Sequence, residues 1–419
     1  MDSDPRALLL KVFHAAVEAA SPSCCMPKNL PCYPRGRTIV AGFGKAAAAM
    51  SKAVEEHWQA PLSGLAITRY GHGVPCRQIE IVEAGHPVPD RAGMEAAERM
   101  LASVRGLQPD DLVLALISGG GSSLFAVPPP GITLDHKQSI TRALLKSGAP
   151  IAKINCVRKH LSAVKGGRFA LAAQPASVVS LIISDVPGDD PATVASGPTA
   201  PDPTTREDAL RILGEYEIEL PAAVRHWLED TASETPKSGH PAFAKVENRI
   251  VACARDALTA AARSAEASGL TVRDLGESEG EARDVARAHA RLALKCLQRG
   301  KPSVLISGGE TTVTVRGGGR GGRNCEYLLA LALALEGARG IWAIACDTDG
   351  IDGTETNAGA VVTPDTLGRA GALGLDGKAA LARNDSYEFF CGLGDLVVTG
   401  PTRTNVNDFR AILIRPRDV

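Results

Sequence analysis

Three glycine-rich segments of this 419-residue chain set charge or hydroxyl groups where a backbone could wrap an anion. The first, Gly42-Phe43-Gly44-Lys45-Ala46-Ala47, follows an apolar run and opens an alanine-rich helix, so its amides can face a phosphate at a helix N-terminus. A cation at Lys45 opposes the helix dipole, and a bound anion would offset that cost. A dinucleotide fingerprint also wants an acid about 20 residues later to hold the ribose. Thr68-Arg69 stands there instead, which counts against NAD, although Arg69 suits a 2′-phosphate. The second segment, Ser118-Gly119-Gly120-Gly121-Ser122-Ser123, combines an amide nest with hydroxyls. The third runs from Arg316 to Asn324 and places three arginines and five glycines, Gly321 and Gly322 among them, ahead of an apolar helix at 326–335. A flexible hairpin is the plain alternative. So much backbone freedom beside so much positive charge points instead to an anion site.

The carboxylates gather in two turns. Asp185, Asp189 and Asp190 follow one apolar run; Asp347, Asp349 and Asp352 follow another. Magnesium asks for one or two carboxylates plus substrate phosphates, so either turn could supply it, and helix capping is the equal alternative. The second turn has the wrong offsets for a calcium loop and follows a strand, which excludes an EF-hand. At 155–173 a buried stripe of Ile154, Val157, Leu161 and Val164 implies one helix ended by Gly166-Gly167. Its other face carries Arg158, Ser162 and Lys165, and both a solvated face and a phosphate contact remain open. His86 and His160 read as packed or turn histidines. A P-loop, a protein-kinase catalytic loop, a Gly-x-Ser-x-Gly elbow and a His-Glu-x-x-His site are all absent.

The elements that must position these loops are short Val/Ile/Leu/Ala runs alternating with helical stretches, which is βαβ grammar. Strands are expected at 38–41, 64–68, 79–83, 112–117, 178–183, 250–253, 303–306, 341–345 and 396–399. Their near-continuous apolar character suits parallel strands covered on both faces, whose ligands lie beyond the carboxyl ends. Leu116-Ile117-Ser118-Gly119-Gly120 is repeated as Leu305-Ile306-Ser307-Gly308-Gly309, each closing a run. The length exceeds one core of roughly 250 to 300 residues, so two domains are expected. The apolar period is lost over 230–244, which reads as a linker. The expected division is 1–240 and 241–419, with 245–300 free to return to the first lobe. The fold class is therefore α/β in two lobes, a Rossmann-like parallel sheet followed by a smaller α/β domain.

A net charge of −1 offers no field for nucleic acid or an acidic membrane. The opening Met1-Asp2-Ser3-Asp4 lacks the basic start of a secretory leader, and the longest apolar run, 328–335, is far below the roughly 20 residues of a membrane span. Ten scattered cysteines without paired spacing read as reduced thiols. A cytoplasmic location follows as the expectation, with no nucleic-acid or membrane partner, and a homo-oligomer is compatible with all of this.

Taken together, these loops resemble those of the class II glycerate 2-kinases, whose C-terminal part is the MOFRL domain, here about 302–413. The resemblance spans nearly the whole chain. It runs through Gly42-Phe43-Gly44-Lys45-Ala46, Gly85-His86-Pro87-Val88-Pro89-Asp90, Ser118-Gly119-Gly120-Gly121-Ser122, Arg158-Lys159-His160-Leu161-Ser162, Lys165-Gly166-Gly167-Arg168 and Ser184-Asp185-Val186 with Gly188-Asp189-Asp190. It continues through Ser196-Gly197-Pro198-Thr199, Ser307-Gly308-Gly309-Glu310-Thr311-Thr312, Gly321-Gly322-Arg323-Asn324, Thr348-Asp349-Gly350-Ile351-Asp352-Gly353 and Thr404-Asn405-Val406-Asn407-Asp408.

The resemblance implies transfer of a phosphoryl group from ATP, with Mg2+, to the 2-hydroxyl of D-glycerate in a cleft between the lobes. It implies Lys45 and Arg323 as the catalytic pair. With them go Asp189 at the hydroxyl, Asp185, Asp190 and Asp349 toward the metal, and Gly44, Ser118 to Ser122, Arg158, Lys165, Gly321, Gly322, Asn324, Asn405 and Asn407 toward nucleotide and acceptor. Two positions depart from the family: Cys325 stands where Gln is usual, and Arg403 where Gly is usual. The rival readings are a nicotinamide-dependent hydroxypyruvate reductase and a non-catalytic sensor of a sugar phosphate or nucleotide. The reductase leaves the arginine loop and the acids without a task, and the sensor leaves the acids so.

Overall fold

The structure is a computed structural model that describes residues 4–416; Met1 to Ser3, read above for a leader, lie outside the described residues. The chain divides into two compact units, one of Cys25–Val251 and one joining Met1–Cys24 to Ala252–Val419.

In the unit of Cys25–Val251, β1 (Thr38–Phe43), β2 (Ser63–Arg69), β3 (Ile79–Ala84), β4 (Leu112–Ser118), β5 (Ser177–Ile183) and β6 (Val246–Ala252) form a sheet in the order β3-β2-β1-β4-β5-β6. The pairs from β3 across to β5 are parallel. Every residue of β1 and of β4 is buried, as their unbroken apolar runs require of central parallel strands. The strand order reverses between β1 and β4, and there the two glycine loops emerge side by side. Phe43 stacks on Phe125 at 4.3 Å and Phe169 meets Phe125 edge-on at 5.3 Å, closing the core beneath these loops. A separate apolar cluster joins the helices Leu134–Lys146, Ile151–His160, Arg206–Glu215 and Ala222–Glu229 through Ile140, Ile154, Val157, Ile212 and Leu228.

The second unit holds β7 (Thr271–Glu277), β8 (Gly280–Glu281), β9 (Ser303–Gly308), β10 (Thr311–Thr312), β11 (Ile341–Asp347), β12 (Gly359–Val362), β13 (Leu396–Val397) and β14 (Asp408–Ile414). The main sheet runs β13-β12-β11-β14-β9-β7, with β8 paired to β10 apart from it. The helix Arg323–Leu335 is buried almost all round at the centre of this unit's core.

The α/β class and the doubly wound first sheet are as expected, but several details differ. The second sheet is mixed: only β7 and β9 pair in parallel, and β14 lies antiparallel between β9 and β11. An apolar run reports burial on both faces and says nothing of direction. β7, β12 and β14 were not among the expected strands; β14 carries Asp408 and Arg410 in an otherwise apolar run, and both turn out to be buried. The units divide at Val251, not at 240, and the N-terminal helix Pro5–Ala19 belongs with the C-terminal segment. Residues 230–244 are no linker. Arg168 donates to the carbonyls of Ala232, Ser233 and Glu234 at 2.7–3.1 Å, and Thr235 donates to Asp202 at 3.1 Å, so local partners satisfy a segment poor in apolar residues. The expected helix across 155–173 ends at His160, and Arg168–Ala172 is a separate short helix.

Candidate functional site

In the first unit, three loops leave the carboxyl ends of β1, β4 and β5. Gly44 sits at φ +129°, where a side chain is disfavoured, and a Cβ there would overlap the Ser118 hydroxyl and carbonyl. This close approach lets the Lys45 amide donate to the Gly119 carbonyl at 2.8 Å and the Ala46 amide to Ser118 Oγ at 3.0 Å. Lys45 is thereby held, half-buried, at the start of the helix Ala47–His57. Gly120, at φ +80°, lies against Lys45 and His86; a Cβ there would come within 2.9 Å of His86 Nε2 and 3.2 Å of Lys45 Cγ. Ser122 pairs with Ser196 at 2.7 Å. His86, read from the sequence as a packed or turn histidine, borders the lysine and the glycine turn, through a proximity that sequence spacing does not report.

The register sets Ser118 beside Ile183, so the turn of Asp185 to Asp190 leaves the sheet next to the glycine turn. Asp189 is half-buried with φ +54°. Asp190 is exposed, and its two oxygens accept from the Ala192 amide at 2.9 Å and the Thr193 hydroxyl at 3.1 Å, a turn-capping arrangement. Asp349 belongs to the other unit and accepts from the Ile351 amide at 2.8 Å. Among the described residues no group of three His, Cys, Asp or Glu could hold a metal. The carboxylates expected toward magnesium thus do not form a dedicated cage. Arg158 and Lys165, expected on one helix face, both line a cavity of about 270 Å³ above the helices Leu134–Lys146 and Ile151–His160. Lys165 is 1% exposed and donates to the Phe125 carbonyl at 2.9 Å, so it is no solvated surface lysine.

In the second unit the antiparallel register places Asp347 of β11 opposite Asp408 of β14, two carboxylates side by side and buried. Arg323, at the start of its helix, reconciles them. Its Nε donates to both Asp408 oxygens at 2.9 and 2.8 Å, one terminal nitrogen reaches Asp347 at 2.8 Å, and the other pairs with Glu310 at 2.8 Å. Burial works against this charge, but the three carboxylates outweigh it and hold the guanidinium well above its ordinary pKa. Arg410 joins Asp408 at 2.9 Å and donates to the Gly308 and Gly309 carbonyls at 2.8 and 3.1 Å.

The glycine-arginine loop receives a structural explanation that its sequence conceals. The helix N-terminus is already occupied, because Asp352 accepts from the amides of Asn324 and Cys325, each at 2.9 Å. A Cβ at Gly322 would overlap Asp352, one at Gly321 would overlap Ser386, and Gly317 and Gly319 abut Arg383 and Asp385. Four of the loop's five glycines therefore serve close packing, and Gly318 does not. Arg320 is paired with Glu355 and Glu388 and lies 4.7 Å from the Tyr387 ring. Asn324 donates to Asp408 at 2.8 Å, and the buried Asn407 carbonyl accepts from the Thr348 hydroxyl at 2.6 Å; Asn405 is buried two residues before it. Cys325 is fully buried, with Asn357 donating to its sulfur at 3.3 Å.

Two family models match the chain, a domain of unknown function (DUF4147) over residues 8–229 and the MOFRL family over 303–408. A protein of Agrobacterium vitis, provisionally named a hydroxypyruvate reductase, is 54% identical over 99% of this chain and 95% of its own. The D-glycerate 2-kinase of Thermotoga maritima is 42% identical over 96% of each chain. A crystal structure of the Thermotoga maritima glycerate kinase aligns with a TM-score of 0.88 at 41% identity, covering 98% of this chain and 99% of that one.

Proposed function

The chain belongs to the class II glycerate 2-kinase family, and we infer on that premise that it is an enzyme transferring a phosphoryl group from ATP to the 2-hydroxyl of D-glycerate. The observation that carries the reading at the level of atoms is the interlock of Gly44 and Lys45 with Ser118 and Gly119 at the switch point of the sheet. Phosphoryl transfer asks mainly for positive charge and positioning around the moving group, and this interlock supports both, because backbone hydrogen bonds fix the point at which the lysine leaves the chain.

In this reading Lys45 neutralises charge growing on the transferred phosphoryl, while Ser118 and the amides of Gly119 to Gly121 orient its oxygens. Asp189, in the turn beyond the adjacent strand β5, accepts the proton of the attacking hydroxyl. In the second unit Arg323 holds Asp347 and Asp408 in place and keeps further N–H donors for an anion. Asp190 and Asp349 are bound up in local turns, so magnesium would come to the site on the nucleotide phosphates, with Asp185 the nearby carboxylate; bound there it would screen phosphate charge. Against the reductase name of some relatives, the β2 terminus has Arg69 in place of the ribose-binding acid, which argues against NAD as the nucleotide.

The test is to incubate the purified protein with D-glycerate and MgATP, and separately with hydroxypyruvate and NAD(P)H, and to resolve the products by mass and chromatography. ADP with 2-phosphoglycerate is expected. Nicotinamide oxidation without ADP would overturn the kinase.

A further inference from the structure

The arginines of the glycine loop at 316–323 include two, Arg320 and Arg323, that are matched by carboxylates. The cavity of the first unit presents the opposite condition. Lys137, Arg158 and Lys165 converge on it, and no acidic side chain is among its lining residues. Lys137 is 9% exposed, and its ammonium is buried with no hydrogen-bond partner among the described residues. Burial, and then the charge of Arg158, pull its pKa down to about 7; burial, and then Lys137 and Arg158, hold Lys165 well below the ordinary range. An isolated buried ammonium is so unfavourable that buried charges are nearly always paired. Two buried lysines, one of them with no hydrogen-bond partner, and the half-buried Arg158 around one accessible cavity describe a site that lacks its anion.

The rest of the wall identifies the ligand. Leu134, Ile140, Ile154, Val157 and Leu161 line the cavity, and three of the chain's exposed large apolar side chains, Val88, Leu145 and Ile151, stand at it with 58–63% of their surface open. D-Glycerate is a small monoanion with no apolar face to cover such a wall. A nucleotide has both a polyanionic chain and a flat, weakly polar base. Ser122 also lines the cavity and belongs to the turn that packs on Lys45, so a phosphate chain seated on the three cations leads toward the lysine.

We propose that this cavity seats the nucleoside triphosphate, its phosphates on Lys137, Arg158 and Lys165 and its base against the apolar wall. The proposal rests on the kinase reading and adds to it the place of the phosphoryl donor. Lys137 is then a binding residue that the sequence pattern did not single out, because a lysine on an amphipathic helix gives no sign of being buried.

The test uses the full chain and two variants, Lys137→Met and Arg158→Met, with MgATP, MgADP and D-glycerate as probes in calorimetry and in steady-state turnover. Wild-type turnover of glycerate with MgATP checks the underlying reading by itself. On the proposal, Lys137→Met raises the ATP dissociation constant and the KM for ATP 30-fold or more, leaves the KM for D-glycerate within threefold, and unfolds no earlier than wild type, since a partnerless buried charge has been removed. Arg158→Met moves the same constants the same way. ATP affinity within threefold of wild type in both variants would overturn the proposal while the kinase stands. A loss confined to D-glycerate would overturn it too, by assigning the cavity to the acceptor.

Discussion

Replacing Arg323 with Ala separates a structural from a purely chemical role for this residue. Its side chain joins Asp408, Asp347 and Glu310, whose own side chains are 0%, 4% and 53% exposed. The exposed Glu310 pair contributes at most about 0.5 kcal/mol, as surface pairs do. Removing one partner of a buried pair costs about 3–5 kcal/mol, because the other charge is left in a poorly solvating interior. Asp408 would keep Arg410 at 2.9 Å and the Asn324 amide at 2.8 Å, so the loss falls mainly on Asp347, which keeps the Asp349 amide at 2.9 Å. The expected destabilisation therefore lies at the lower end, about 3 kcal/mol. Arg323→Lys keeps the charge but loses the planar fork, and should lose about 1–2 kcal/mol. Trp342 lies on β11 in this unit, and the chain's other tryptophans, Trp58 and Trp227, lie in the first. Urea unfolding followed at Trp342 in a Trp58→Phe, Trp227→Phe background therefore reads the right transition. Arg323→Ala that lost turnover yet unfolded within about 1 kcal/mol of its parent would refute the structural part of the argument.

Other changes test the remaining parts. Gly44→Ala drives a Cβ into the Ser118 backbone at a disfavoured φ, and should lower kcat/KM on the order of 10²-fold by displacing Lys45, with far-ultraviolet circular dichroism unchanged; near-normal turnover would remove the interlock from the mechanism. Arg403 is exposed at φ +62°, so Arg403→Gly relieves backbone strain and should raise stability by about 0.5–1 kcal/mol, read from the urea midpoint. A lower midpoint would contradict this. His289 is buried against Tyr327 at 2.9 Å, and burial, then Arg410, push its pKa down to about 4. The imidazole stays neutral in the fold while the unfolded chain takes up a proton near pH 6.5, so its contribution is complete above 6.5 and is lost as pH falls through 4. The full span is about 3 kcal/mol, and His289→Gln should flatten the stability slope between pH 6.5 and 4; an unchanged slope would place the titration elsewhere.

Much of the first unit was legible in the sequence. Apolar runs closed by a glycine or a polar turn marked β1, β2, β4 and β5 within a few residues, since a central parallel strand must be apolar on both faces. The second unit was less open. β14 hides its strand character behind Asp408 and Arg410, whose burial is tolerable only because each neutralises the other and Arg323 joins them. Residues 230–244 have a linker's composition because their partners, Arg168 and Asp202, are supplied from far upstream.

The sequence by itself determined that glycine turns and hydroxyls stand at strand ends, and that Lys45 opens a helix behind them. These features depend on neighbouring residues alone. Which cations are free to meet an anion was decided only by the tertiary structure. Arg323 finds its carboxylates 24 and 85 residues away, whereas Lys137 finds none. Whether a charge is matched depends on which groups the fold brings within a few ångströms, and such distances are not written in spacing along the chain.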